Sequence, residues 1–116
     1  MADLYPPATH ETSALRRQLS PAALAAFADF SKAVFADGAL STKMKQLIAV
    51  AVAHVTQCPY CIRGHTEGAL QHGATREEIM EAIWVAAEMR AGAAFAHSTI
   101  ALTTMREAEG GQEPGK

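Results

Sequence analysis

The chain has 116 residues, 49% of them hydrophobic, and its formal net charge is −2 with no cluster of Lys or Arg. This length fits a single domain, and the absence of a basic face argues against nucleic-acid binding. The apolar runs are much shorter than the ~20 residues that cross a bilayer, and the N-terminus lacks a signal-peptide pattern. We therefore expect a cytoplasmic protein that binds neither nucleic acid nor membrane.

The first half of the chain predicts an arm and three helices. Residues 1–19 form an N-terminal arm that ends in a short helix from Thr12 to Leu19. Ser20 and Pro21 are typical of a helix start, and Gly38 is typical of its end. A third helix runs from residue 41 or 42 to residue 57. Its later part is apolar on every side, and its Ala content favours a buried helix over a strand.

The second half predicts three more helices, from Cys58 to Gln71, from residue 75 to Gly92 and from residue 93 to 107. The middle one opens on a capping box, Thr75 to Glu78. Residues 109–116 form a disordered tail. The predicted fold is a single-domain, all-α bundle of about six helices spanning residues 20–108. Its apolar surface exceeds what one small bundle can hide, so we expect a homo-oligomer.

The motif that carries chemistry is Cys58-Pro59-Tyr60-Cys61, followed by His65. Two cysteines three residues apart in a cytoplasmic protein indicate redox or metal chemistry. A thiol at a helix start has a lowered pKa because the helix dipole stabilises its anion. His65 follows Cys61 by four residues, so both lie on one helix face, where the imidazole can take the thiol proton.

Other interpretations remain open from the residues alone. The cysteines could be buried hydrophobes. Cys58, Cys61 and His65, with His54 or His97, could instead form a zinc site or a structural module.

The stretch from Lys43 to His65, with its C-x-x-C-x-x-x-H pattern, resembles the carboxymuconolactone decarboxylase-like superfamily, in particular its alkyl hydroperoxidase D branch. The resemblance implies an all-helical trimer or hexamer that acts on hydroperoxides through the two thiols, and we expect no cofactor and no metal. It implies Cys61 as the attacking thiol, Cys58 as its resolving partner and His65 as proton relay. A dithiol or thioredoxin-like protein would then act as reductant. A third hypothesis is a cofactor-free decarboxylase or isomerase of a small lactone, which would use histidines and tolerate loss of the cysteines.

Two positions depart from the family pattern. Gln46 stands where a Glu commonly feeds the relay, and Tyr60 stands where the hydroperoxidases often have His between the cysteines. Gln cannot titrate, although it can hold a histidine in place. His54, on the preceding helix, is a candidate to take over part of the missing carboxylate's role. The predicted function is a thiol-dependent peroxidase or disulfide reductase with Cys61, Cys58, His65, Gln46 and His54 as its site residues.

Overall fold

The computed structural model describes residues 4–110, and 80% of these are helical. Helix α1 spans His10–Leu19, α2 spans Pro21–Phe35, α3 spans Thr42–Thr56, α4 spans Pro59–Gln71 and α5 spans Arg76–Ala108. Residues 4–110 contain no strand, so the predicted all-helical class is confirmed. Residues 1–3 of the predicted arm and residues 111–116 of the predicted tail lie outside the described residues.

The predicted helix count is wrong by one, because the last two predicted helices are a single helix. Helix α5 runs through Gly92 without interruption. A glycine inside a helix costs about 1 kcal/mol relative to Ala, and the surrounding sequence contains no proline that would remove a helical hydrogen bond. The Ala, Met and Glu residues on both sides are strong helix formers, so the helix continues.

The core lies where α3 packs against α4 and the first half of α5. Its buried members are Leu47 and Val50 from α3, Ala69 from α4, Ala74 from the connection before α5, and Ile79 from the first turn of α5. Val50 and Ala69 have no exposed surface at all. Because Ala69 carries only a methyl group, the backbones of α3 and α4 can approach closely at this point.

Polar groups at the helix starts fix the relative positions of α3 and α5. Ser41 caps α3 by accepting a hydrogen bond from the Met44 amide. The predicted capping box at Thr75 and Glu78 is present at the start of α5. Glu78 also forms an ion pair of 2.9 Å with Lys43 in the first turn of α3. These contacts align the N-terminal ends of the two helices.

Much apolar surface lies outside this core. Phe27 and Phe30 on α2 and Trp84 on α5 are each about two-thirds exposed, and every residue from 93 to 108 is exposed. The radius of gyration is 21.0 Å, whereas a compact domain of this size has about 13 Å. The accessible surface is 9290 Å², against roughly 6,100 Å² for a folded monomer of this mass.

No helix within residues 4–110 is both long enough and apolar enough to cross a bilayer. Polar side chains interrupt the apolar surface in the second half of α5, at Ser98, Thr99, Thr103 and Thr104. This half of the helix is therefore apolar on several sides but not along its whole length.

We propose that other copies of the chain cover this surface. The excess of about 3,000 Å² matches the area that obligate oligomers bury. Light scattering after size-exclusion chromatography at micromolar concentration should give a mass of at least three times 12.3 kDa. Phe95→Glu together with Ile100→Glu should dissociate the assembly, because a charge cannot enter an apolar interface without a partner.

Gln71→Glu is the control, since it adds one negative charge, where the test variant adds two, at an exposed polar position at the end of α4. It should leave the mass unchanged. A wild-type protein that is monomeric at micromolar concentration would contradict the proposal.

Candidate active site

The first cysteine stands at the junction of α3 and α4. Gln57 ends α3 in the left-handed conformation (φ 59°, ψ 48°), and Cys58 is the extended N-cap residue of α4. Pro59 occupies the first helical position, where its missing amide hydrogen leaves no bond unmade. The Cys61 amide donates a hydrogen bond of 3.2 Å to the Cys58 sulfur. The sequence therefore places Cys58 where a helix end stabilises negative charge.

The two thiols differ in acidity because of this arrangement. The Cys61 thiol and then the Cys61 backbone amide donate to the Cys58 sulfur, and these hydrogen bonds lower the pKa of Cys58. The same thiol contact, followed by burial, raises the pKa of Cys61, since its proton is held between the two sulfurs. Both cysteines are free and half-buried. Of the two thiols, Cys58 is therefore the one that loses its proton more readily.

His65 is held one turn further along α4. Its Nδ1 lies 2.8 Å from Oε1 of Gln46 on α3. An amide oxygen can only accept, so Nδ1 carries the ring proton and Nε2 keeps its lone pair. The ring of Phe35, the last residue of α2, stacks on the imidazole with centroids 5.2 Å apart and an angle of 18°. His65 is therefore fixed in the tautomer in which Nε2 can accept a proton.

Phe35 is positioned by the connection between α2 and α3. The hydroxyl of Thr42 donates to the Phe35 carbonyl at 2.8 Å, and the Lys45 ammonium donates to the Ala36 carbonyl at 2.6 Å. These bonds satisfy the carbonyls at the end of α2. Helix α2 therefore ends at Phe35, three residues before the predicted end at Gly38.

His54 is not joined to this cluster. Its Nδ1 lies 2.7 Å from the Val50 carbonyl one turn earlier in α3, so the ring donates to its own helix. No hydrogen bond between His54 and the thiols, His65 or Gln46 occurs in residues 4–110. The described part also contains no group of three or more His, Cys, Asp or Glu side chains placed to hold a metal ion. The zinc interpretation with His54 or His97 has no support in this geometry.

Tyr60, between the two cysteines, packs against the N-terminal arm. Its hydroxyl donates to the Pro6 carbonyl at 2.8 Å, and its ring meets that of Tyr5 edge to face, with centroids 6.2 Å apart. The residue at the position where hydroperoxidases often carry His thus anchors the N-terminal arm. Together the arm and α4 border an open groove of about 670 Å³ that also includes Arg63 and Glu67.

Two members of the site, Phe35 and Gly68, are not among the predicted site residues. Phe35 is one of the apolar residues of α2. It is the last residue of that helix, and its ring stacks on His65. Gly68 lies one turn before the end of α4, where a glycine suggests merely a weak helix position. Neither position carries a motif, so sequence reasoning had no signal for them.

The sequence matches a known protein family over most of its length. The model of the carboxymuconolactone decarboxylase family matches residues 21–104. The chain belongs to this family. Among its relatives, an uncharacterised protein from the cox locus of Paracoccus denitrificans is 59% identical over 114 residues, covering 95% of this chain and 99% of that protein. An uncharacterised protein of Cupriavidus necator is 41% identical and covers 73% of this chain and 75% of its own length.

Solved structures of carboxymuconolactone decarboxylase family proteins share the fold. The apo protein from Legionella pneumophila is 38% identical with a TM-score of 0.65, covering 68% of this chain and 70% of that one. A family protein from Thermotoga maritima, which has been suggested to take part in an antioxidative response, is 30% identical with a TM-score of 0.56. That match covers 78% of this chain and 96% of the Thermotoga chain.

The difference in acidity between the thiols can be tested by alkylation. With limiting iodoacetamide near neutral pH, peptide mass spectrometry should find Cys58 modified before Cys61, because only the thiolate reacts. The lowered pKa of Cys58 keeps its thiolate populated as the pH falls. The midpoint of its pH–rate profile should therefore lie below that of the cysteines in urea-unfolded protein. Preferential modification of Cys61 in the native protein would contradict the assignment.

Proposed function

We propose that the protein is a dithiol oxidoreductase that reduces hydroperoxides, or exchangeable disulfides, through Cys58 and Cys61. The observation that carries the proposal is the pair itself, in which the Cys61 amide donates to the Cys58 sulfur at the start of α4, with the pKa of Cys58 lowered and that of Cys61 raised. His65, with its Nε2 lone pair, follows one turn later. The suggested antioxidative role of the Thermotoga maritima relative agrees with this chemistry.

In the first step, Cys61 loses its proton and its sulfur attacks the O–O bond of the hydroperoxide. The sulfur–oxygen bond forms as the O–O bond breaks, and the alcohol leaves after taking up a proton. Cys61 is oxidised to a sulfenic acid and the peroxide is reduced. His65 accepts the Cys61 proton and returns it to the leaving alkoxide, which is the role of a general acid–base.

In the second step, the Cys58 thiolate attacks the sulfenic sulfur of Cys61. A disulfide forms, and the hydroxyl group leaves as water after protonation. An external dithiol, such as a small thioredoxin-like protein, then reduces this disulfide by thiol exchange and is itself oxidised. The cycle consumes one hydroperoxide and one dithiol, and it needs no cofactor.

The acidities of the thiols favour this order of roles. The lowered pKa of Cys58 lets its thiolate form more readily without a base, which suits a resolving thiol and a good leaving group in the later exchange. Cys61 has a raised pKa, so it needs a base to become reactive. Once deprotonated, a thiol of higher pKa is the stronger nucleophile. His65, held by Gln46, lies one turn after Cys61 on α4 and supplies a base for that thiol.

Single cysteine variants test this mechanism. In Cys61→Ser, peroxide should react no faster than with an unfolded reference thiol, because only the resolving thiol remains. In Cys58→Ser, one oxidation per chain should occur and then stop at a sulfenic acid on Cys61. Dimedone trapping and peptide mass spectrometry identify the modified residue, while a coupled assay follows peroxide consumption.

Each alternative result has a defined meaning for the two thiols. Rapid trapping on Cys58 in Cys61→Ser would reverse their roles. Wild-type turnover in both variants would contradict the dithiol mechanism. Such a result would instead favour histidine-based chemistry, such as decarboxylation of a small lactone.

The relay can be tested at Gln46 and His65. Gln46→Glu should raise the rate of the first oxidation about fivefold at neutral pH, since a charged acceptor stabilises the protonated ring by ~1 kcal/mol more than a neutral one. His65→Ala should lower the same rate by about 10²–10⁴-fold, the usual contribution of a positioned general base. Stopped-flow measurement of a single oxidation in the Cys58→Ser background isolates this step.

Gln71→Glu again serves as control, because it makes the same chemical change at an exposed position of α4. It should leave the rate unchanged. A Gln46→Glu protein that folds normally and shows no gain would contradict a limiting role for the neutral amide.

A further inference from the structure

Gly68 lies directly against the side chain that orients His65. A methyl group added at Gly68 would lie 2.7 Å from Oε1 and 2.8 Å from Cδ of Gln46. Carbon atoms of side chains do not approach so closely, so Gln46 occupies space that any other residue at position 68 would fill. The same Oε1 accepts the hydrogen bond from Nδ1 of His65.

We infer that Gly68 is a positioning residue of the site, which fixes the tautomer of His65 by leaving room for the Gln46 carboxamide. Its effect on catalysis rests on the proposed function, whereas its effect on the His65 ring does not. Gly68 touches no reacting atom. It acts only through Gln46, and Gln46 acts only through the imidazole.

A methyl group at Gly68 should displace the Gln46 side chain and leave the backbone of α4 in place. The atoms that an added methyl group would meet are the far end of a flexible side chain, not backbone. In Gly68→Ala, the carboxamide should therefore rotate away while α4 keeps its position. Ala is also a better helix former than Gly, so the folded state should persist while the hydrogen bond to His65 is lost.

Loss of that bond changes which ring nitrogen carries the proton. With the amide oxygen in place, Nδ1 must be the donor and Nε2 keeps its lone pair. Without it, the tautomer protonated at Nε2 becomes populated. A ring in that tautomer cannot accept a proton at Nε2, so the fraction of competent sites falls.

Gly64 provides a matched control on the same helix, one turn before Gly68. A methyl group added at Gly64 has no neighbouring atom within 4 Å. Gly64→Ala therefore makes the same chemical change and the same gain in helix propensity without touching Gln46. Any difference between the two variants reports on the contact with Gln46 alone.

The direct test is ¹⁵N NMR of histidine-labelled protein, with His65 assigned by its disappearance in His65→Gln. Wild type and Gly64→Ala should show one protonated nitrogen, Nδ1, and one unprotonated nitrogen, Nε2. Gly68→Ala should show a mixture of tautomers, as should Gln46→Ala. Circular dichroism and light scattering verify that each variant keeps the wild-type fold and mass.

The double variant Gly68→Ala with Gln46→Ala gives the decisive comparison. If Gly68 acts only by admitting Gln46, the double variant should match Gln46→Ala, so the two changes are not additive. Gly68→Ala alone should slow the first thiol oxidation about five- to tenfold, the contribution of one hydrogen bond. A wild-type tautomer pattern in a folded Gly68→Ala protein, or full additivity, would overturn the inference.

The two proposals fail in different ways. Tautomer changes in the absence of any thiol oxidation would reject the proposed function and keep the role of Gly68. Normal thiol oxidation with an unchanged tautomer in Gly68→Ala would reject the role of Gly68 alone.

Discussion

The close packing of α3 on α4 is the constraint on which the site depends. Val50 and Ala69 meet without exposed surface, and Gly68, next to Ala69, lets a polar side chain from α3 reach across the same interface. A bulky residue at position 69 would force the helices apart, and a side chain at position 68 would displace the Gln46 carboxamide. In either case the hydrogen bond between Gln46 and His65 would be lost, because such bonds need about 2.7–3.2 Å between their heavy atoms.

The site combines two different ways of controlling a proton. At the start of α4, backbone geometry and a neighbouring thiol stabilise an anion on Cys58. One turn later, a side chain from another helix and a stacked ring fix the direction of an imidazole. The first device depends only on local chain conformation, whereas the second requires α2, α3 and α4 to be assembled. Partial unfolding of α2 would therefore affect His65 before it affects Cys58.

Local sequence signals predicted the fold class, whereas only the family resemblance connected Gln46 with the relay of His65, and the two side chains are hydrogen-bonded. Capping residues such as Ser41 and Thr75 act within one turn, so their effect can be derived from neighbouring residues. The uninterrupted course of α5 could not be predicted, because the cost of Gly92 is small and depends on its surroundings. Phe35 and Gly68 act through contacts between distant helices, which no short pattern encodes. His54, predicted as a site residue, donates to its own helix instead.

The second half of α5 has a consequence for how the protein responds to concentration. In a single chain, residues 93–108 are helical and every one of them is exposed. An isolated helix of this length is only marginally stable in water, and in the proposed assembly the neighbouring copies would supply the contacts that it lacks. Folding of the segment and its coverage are therefore one equilibrium, and mass action governs it. Dilution should therefore unfold the end of α5 first, while the thiol site remains folded.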